Sequence, residues 1–149
     1  MVESLETIAE RLRDAGAVFS IHQPPLTSLS YIQPITPSVL DDITRMTTVR
    51  ELFLGGSAVT DADVERVVRM PELVWLELSD TCISNHAIDH VAEHTQLETL
   101  MLFGTAITDD CISVLVRMGS LKEVGLDDTQ ITESGFQRLR DARPDIIIG

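Results

Sequence analysis

The chain has little positive charge and no long apolar run. Lys122 is its single lysine, and 11 basic residues stand against 24 acidic ones, which gives a formal net charge of −13. Phosphate backbones and anionic membrane surfaces repel such a chain, so we expect neither nucleic acid nor a membrane as its partner. No segment reaches the roughly 18 apolar residues that a membrane-spanning helix needs.

The sequence also lacks the motifs of common catalytic and cofactor sites. It contains no Gly-rich phosphate loop, no GxSxG elbow, no HExxH and no CxxC pair. Its two cysteines, Cys82 and Cys111, are far apart, which is typical of free thiols in a reducing compartment. Cys111 has no histidine placed to activate it as a nucleophile. The acidic, amphipathic first residues differ from a signal peptide. We therefore expect a cytoplasmic protein with no cofactor and no enzymatic activity.

What the chain does have is a repeat of 24 residues that runs through residues 49–132. A fixed period of this length is typical of a stacked solenoid. Apolar residues recur at the first, fourth and sixth positions, a hydroxyl at the ninth and a branched aliphatic at the eleventh. In order of position, these residues are Val49, Leu73, Leu97 and Leu121; Leu52, Leu76, Leu100 and Val124; Leu54, Leu78, Leu102 and Leu126; Ser57, Thr81, Thr105 and Thr129; and Val59, Ile83, Ile107 and Ile131.

Each repeat is predicted to form a strand, a tight turn and a helix. The alternation of positions four and six points two side chains inward from a strand and leaves positions three, five and seven outward. A Ser or Thr at position twelve suits a helix N-cap, and apolar residues at positions sixteen and nineteen suit a helix packed on one face. Because strand follows strand through a helix, the sheet should be parallel.

This pattern resembles the leucine-rich repeat in a short, bacterial-like form, L-x-x-L-x-L-x-x-T-x-I-T-D with a helix after the turn. The resemblance covers residues 26–148. It implies a right-handed α/β solenoid with parallel strands on a concave face, helices on a convex face, and a protein partner on the concave face. The hydroxyls at position nine replace the commoner asparagine, and we expect them to bond backbone groups in adjacent turns.

The domain organisation follows from the same register. Residues 1–25 are predicted to form an N-terminal cap, with a helix over 3–15 and a strand over 17–21 that ends at paired prolines. Residues 26–149 hold about four and a half repeats, including an irregular first copy and a last strand at 146–148. An apolar strand at the edge of a sheet is a candidate dimerisation site.

Large apolar side chains fall on the outward strand positions, where they should meet water. We predict that they bind a protein partner, because large apolar patches are seldom exposed without a use. These residues are Phe53, Trp75, Met101 and Phe103. The acids around them are Glu51, Glu77, Asp80, Glu123, Asp127 and Asp128, and they favour a basic or mixed-charge partner.

Other interpretations of the same residues stay open. The apolar side chains can pack on one another and bind nothing, or they can form a homodimer that makes the chain a structural unit. The acids can serve solubility alone. Residues His86 and His90 are four positions apart on the predicted second-repeat helix and suit one zinc or nickel ion, although two ligands are an incomplete site. His94 takes a packing position instead.

Overall fold

The computed structural model describes residues 2–20 and 25–149, and within them seven strands form one sheet in chain order. The first strand is antiparallel to the second, and every later pair is parallel, which confirms the predicted parallel sheet of the repeats. The strands are β1 (Val18–Phe19), β2 (Ser28–Ser30), β3 (Glu51–Phe53), β4 (Trp75–Glu77), β5 (Thr99–Met101), β6 (Glu123–Gly125) and β7 (Ile147–Ile148). The predicted cap strand over 17–21 is shorter here, and residue 21 lies outside the described residues.

One helix precedes β1, and one helix follows each of the strands β2 to β6. This alternation gives the α/β solenoid expected from the repeat. The helices are α1 (Leu5–Asp14), α2 (Pro37–Arg45), α3 (Asp61–Val67), α4 (Asn85–Val91), α5 (Ile112–Arg117) and α6 (Glu133–Ala142). A turn of 3₁₀ helix, Asp109–Cys111, leads into α5. No helix among the described residues is long and apolar enough to cross a membrane.

In the four full repeats, the same positions form the core. The residues at positions one, four and six of the four full repeats are all at most 1% exposed, and the branched aliphatics at position eleven are buried beside them. Full burial of one such side chain contributes about 1.5–3 kcal/mol before the entropy of ordering is counted. The repeat therefore accounts for the core.

The N-terminal helix closes one end of this core. Ser4 caps α1 by accepting a hydrogen bond from the Thr7 N–H, and the apolar stripe of α1 is buried. Arg11 donates from Nε to Asp42 Oδ2 at 2.9 Å and from Nη2 to Asp42 Oδ1 at 2.6 Å, which ties α1 to α2. Because Asp42 is buried, this bidentate pair is a specific clamp between the cap and the first repeat.

Successive helices are joined at their first residues by what we call the helix-start ladder. In it the residue at position thirteen of one repeat bonds both the N–H and the hydroxyl at position twelve of the next repeat, 23 residues later. The pairs are Asp61 with Ser84, Asn85 with Thr108, and Asp109 with Thr132, at 2.6–2.9 Å. Each rung thus satisfies an N–H at a helix start.

The first rung of the ladder starts at Asp61, because the irregular copy before the four full repeats lacks the acceptor side chain. Pro37 follows the capping residue Thr36 in α2, so the position that supplies an acceptor in later repeats holds a proline. Thr60 instead uses its own repeat: its N–H and its hydroxyl both donate to Asp63 Oδ2 at 2.9 Å. This local capping box replaces the missing rung.

The hydroxyls at position nine behave differently from our expectation. Each donates to the backbone carbonyl three residues earlier in its own repeat, at 2.6–2.7 Å, and not to an adjacent turn: Ser57 to Leu54, Thr81 to Leu78, Thr105 to Leu102 and Thr129 to Leu126. A short hydroxyl reaches back only within its own tight turn, whereas the longer asparagine and aspartate side chains at position thirteen span two repeats.

One arginine ties the end of α6 to the end of α5 and the loop after it. Arg143, which follows α6, donates to the carbonyls of Val116, Met118 and Leu121 at 2.9–3.3 Å. Asp145 pairs with the same guanidinium, and that hydrogen-bonded contact lowers the pKa of Asp145. These bonds satisfy carbonyls at and beyond the end of α5.

Candidate protein-binding surface

One face of the sheet carries the outward side chains of the repeats, and we call it the open face. It comprises positions three, five, seven and eight of the four full repeats. The strand register aligns these residues into rows that cross the sheet. The first row is Glu51, Trp75, Thr99 and Glu123, and the second is Phe53, Glu77, Met101 and Gly125.

The first apolar group on the open face is the aromatic pair, Phe53 and Trp75. Their ring centroids are 6.0 Å apart and the ring planes are tilted by 40°. The two residues are diagonal neighbours on β3 and β4, and both rings are half-buried. This distance and tilt are within the range in which aromatic pairs attract each other.

The second apolar group, which we call the Gly125 cluster, consists of Met101, Phe103 and Gly125. A Cβ atom at Gly125 would lie 2.7 Å from Met101 Sδ and closer still to the Phe103 ring, so these two side chains lie directly over the glycine. The four apolar residues predicted as one patch therefore form two groups. Glu77 stands between them, because it is aligned with Phe53 on one side and Met101 on the other.

The acidic residues predicted for this face are all present on it, in different environments. Glu51, Asp80, Asp127 and Asp128 are exposed, whereas Glu77 and Glu123 are half-buried. The Glu77 carboxylate accepts the N–H of Ser79, two residues further along the chain, at 2.8 Å, and it also covers Gly55 of the preceding repeat.

The open face has no positive charge of its own. No lysine or arginine occupies an outward position of the four full repeats. Among the described residues, the ion pairs join 8 of the 11 basic residues to acids elsewhere, and none involves an open-face acid. The carboxylates of this face are therefore not neutralised within the described part of the chain.

Two buried polar atoms of the open face have no hydrogen-bond partner: Trp75 Nε1 and Ser79 Oγ. Within residues 2–20 and 25–149 they are the only buried side-chain nitrogen and oxygen atoms of this kind. An unpaired buried polar atom costs free energy and calls for an explanation. Ser79 and Gly125 occupy outward positions of the predicted strands, but the sequence pattern indicates no role for either, and only the contacts in the structure do so.

Position eight has a left-handed backbone in every full repeat. Glycine provides it in two repeats, with φ of 71° at Gly56 and 65° at Gly104, and aspartate in the others, with φ of 54° at Asp80 and 58° at Asp128. Aspartate tolerates this conformation better than most residues but at a cost.

The other candidate residues are the histidines of the second full repeat and Cys111. His86 on α4 is exposed and His90 is half-buried, while His94 packs on the preceding repeat, with Nε2 3.1 Å from the Met70 carbonyl oxygen. No group of three or more His, Cys, Asp or Glu side chains in the described ranges converges as a metal site. Burial raises the pKa of the Cys111 thiol to about 12, so the thiol is protonated at neutral pH.

Comparison with solved structures finds leucine-rich-repeat folds. A leucine-rich-repeat protein of Leptospira interrogans has a TM-score of 0.56 and 19% identity, over 78% of this chain and 28% of that one. An internalin of Listeria monocytogenes has a TM-score of 0.53 and 19% identity, over 80% of this chain and 39% of that one. Actin-binding site 2 of leiomodin-1 has a TM-score of 0.55 and 11% identity, over 97% of this chain and 90% of that one.

The chain thus spans well under half the length of the two bacterial proteins, and at these identities the likeness concerns the fold. No curated protein sequence matches it. A family profile does match over residues 23–140, and its description is the leucine-rich repeats of FBD-associated F-box protein At5g56370. The chain belongs to this leucine-rich-repeat family.

Proposed function

We propose that this chain is a non-catalytic cytoplasmic module that binds a basic or mixed-charge protein through the open face. Leucine-rich repeats in general serve protein–protein interaction. The fold of leiomodin-1 actin-binding site 2, of which this chain covers 90%, is an example of a solenoid of similar length in a protein-binding site.

The observation that carries the proposal is that apolar, acidic and polar groups without partners in the chain lie together on one surface. The open face combines half-buried aromatic rings, acids without counter-charges and the two unpaired buried polar atoms. Each large aromatic side chain offers roughly 150–250 Å² of buriable area. Aromatic anchors and complementary charge are the features that dominate affinity and approach rate at interfaces.

The test is a quantitative capture experiment with a double variant, Trp75→Ala with Phe103→Ala. Immobilised wild-type protein should retain a defined set of proteins from extract, and the double variant should lose that set while its circular dichroism spectrum is unchanged. The control is His86→Ala with Glu93→Ala, which alters two exposed positions on the helical side.

Retention of the same proteins by the folded open-face variant would reject this surface as the binding site. A retained set that is also insensitive to moderate salt would argue against a basic partner, because screening weakens exposed charge pairs.

A second candidate, homodimerisation, is favoured by the exposed edge of the sheet. Ile147 on β7 is 64% exposed, and β7 has a neighbouring strand on one side only. Sedimentation at micromolar concentration tests it: a dimer lost in Ile147→Lys assigns the contact to this edge, while a dimer lost in Trp75→Ala assigns it to the open face. A monomer at all concentrations dismisses the dimer.

A further inference from the structure

We infer that the aromatic pair binds an arginine side chain of the partner, and that the Gly125 cluster binds an apolar side chain of the same segment. This inference rests on the proposed function and specifies the chemistry of the partner. It commits to one occupant, an extended protein segment in which an arginine and an apolar residue are three positions apart.

The protein's other aromatic rings show what is missing on the open face. Arg13 lies over Phe19, with Cζ 5.0 Å from the ring centroid, and Arg140 lies over Phe136 at 5.6 Å. In the described part of the chain, no arginine or lysine lies over the rings of Phe53, Trp75 or Phe103. Two of the four phenylalanines are thus covered by the protein's own guanidinium groups, and the open-face rings are left for a cation from outside.

The carboxylates around the aromatic pair select a cation with a flat, branched head. Glu51 is aligned with Trp75 across β3 and β4, and Glu77 follows Trp75 by two residues on the same face. A guanidinium stacked on a ring still presents N–H groups at its rim, where carboxylates accept them. A lysine ammonium is compact and more strongly hydrated, so it cannot stack and form a fork in the same way.

The unpaired polar atoms belong to the same repeat, at its positions three and seven. Trp75 Nε1 belongs to the aromatic pair itself, and Ser79, which is 8% exposed, lies in the turn that follows β4. Both atoms are donors without an acceptor in the described residues. Because both atoms are buried, a main-chain carbonyl of the partner can accept the indole N–H only when the Trp75 side chain moves to expose it.

The spacing of the two groups determines the spacing in the partner. The aromatic pair spans β3 and β4, and the Gly125 cluster spans β5 and β6, so their centres are two strands apart, or about 10 Å. In a polyproline-type extended segment, residues i and i+3 point to the same side and are about 9 Å apart. An Arg-x-x-Leu segment that crosses the strands therefore meets both groups at once.

The experiment titrates the intact chain with synthetic, end-capped peptides built on a Gly/Ser background. They are Arg-x-x-Leu, its citrulline and lysine counterparts, and an arginine peptide with six residues between Arg and Leu. The readout is the indole N–H resonance of Trp75, which is unambiguous because the chain has one tryptophan. We expect Arg-x-x-Leu to shift this resonance and to bind at least about fivefold more tightly than the citrulline peptide.

Matched variants separate the two contacts. Phe53→Ala should reduce the preference for arginine over citrulline. Phe103→Ala should leave that preference and remove the advantage of the three-residue spacing over the longer one. Phe136→Ala, at a ring covered by the protein's own Arg140, should change neither.

The outcomes distinguish this inference from the proposed function. If arginine and citrulline peptides bind equally, or if none shifts the indole resonance, the arginine site is wrong. The interaction proposal then survives only if the Trp75→Ala, Phe103→Ala variant still loses its captured proteins. If that capture is also unchanged, both proposals fail.

Discussion

The helix-start ladder and the open face are both polar strips that run along the same solenoid, and they differ in how their polar groups are satisfied. In the ladder each side chain bonds both groups of its neighbour, as Asn85 does with the N–H and the hydroxyl of Thr108. On the open face the acids have no counter-charge, and Trp75 Nε1 and Ser79 Oγ have no partner among the described residues. The ladder serves the fold, and the open face is the surface that we propose for a partner.

We expect the largest loss of stability from a substitution in one rung of the helix-start ladder. Asn85→Ala removes both bonds to Thr108 and leaves a part-buried N–H at a helix start without its acceptor, so we expect a loss of about 1–3 kcal/mol in the free energy of unfolding. Urea denaturation measures it. The control is His86→Ala, the next residue of α4, which is exposed. Equal stability of the two variants would contradict a structural role for the ladder.

A matched pair of serines tests the contrast directly. Ser57 and Ser79 are 4% and 8% exposed, but the Ser57 hydroxyl donates to the Leu54 carbonyl at 2.6 Å while the Ser79 hydroxyl has no partner. Ser57→Ala should therefore lower the free energy of unfolding by about 1 kcal/mol, and Ser79→Ala should leave it unchanged or raise it. A substantial loss in Ser79→Ala would show that its hydroxyl is satisfied after all.

Because the ladder contains a carboxylate at Asp109, the free energy of unfolding should also depend on pH in the acid range. Hydrogen bonds from the Thr132 hydroxyl and N–H lower the pKa of Asp109. A lowered folded-state pKa adds stability above the unfolded value of about 3.9, and this stability is lost as the pH falls through the folded-state pKa. The stability difference between wild type and Asp109→Asn should therefore be present at pH 6 and vanish toward pH 2, in urea titrations at each pH. Asp110→Asn, an exposed neighbour, is the control.

The smallest effect is expected where the open-face turns are strained. Asp128 has a φ of 58°, so Asp128→Gly should raise the free energy of unfolding by up to about 0.5 kcal/mol. Asp127, directly before it, has no positive φ, and Asp127→Gly should lower stability by about 0.5–1 kcal/mol. Thermal unfolding of the two variants reports the sign, and a loss in both would mean that the left-handed turn is not strained.

Sequence alone predicted the fold because the repeat fixes which side chains must be buried. Leu52, Leu76 and Leu100 are all fully buried, as their shared position requires. The members of the candidate surface were also predictable, since strand alternation decides which side chains point outward.

The arrangement of that surface was not predictable, for a physical reason. Met101 and Phe103 lean over Gly125, and the Glu77 carboxylate folds onto the Ser79 N–H, because of space and donors on neighbouring strands. The choice among rotamers depends on such local contacts, which a periodic pattern does not encode. For the same reason, the partner of each position-nine hydroxyl was assigned to the wrong turn.

The ladder has a consequence for how such a chain can lengthen. Every rung joins position thirteen of one repeat to position twelve of the next, so an in-frame duplication of residues 97–120 would recreate a complete rung at each new junction. The duplicated unit would insert one more strand and move the two halves of the open face about 4.8 Å further apart. Gene duplication would thus change the distance between the two proposed binding groups while the hydrogen bonds of the ladder stay intact.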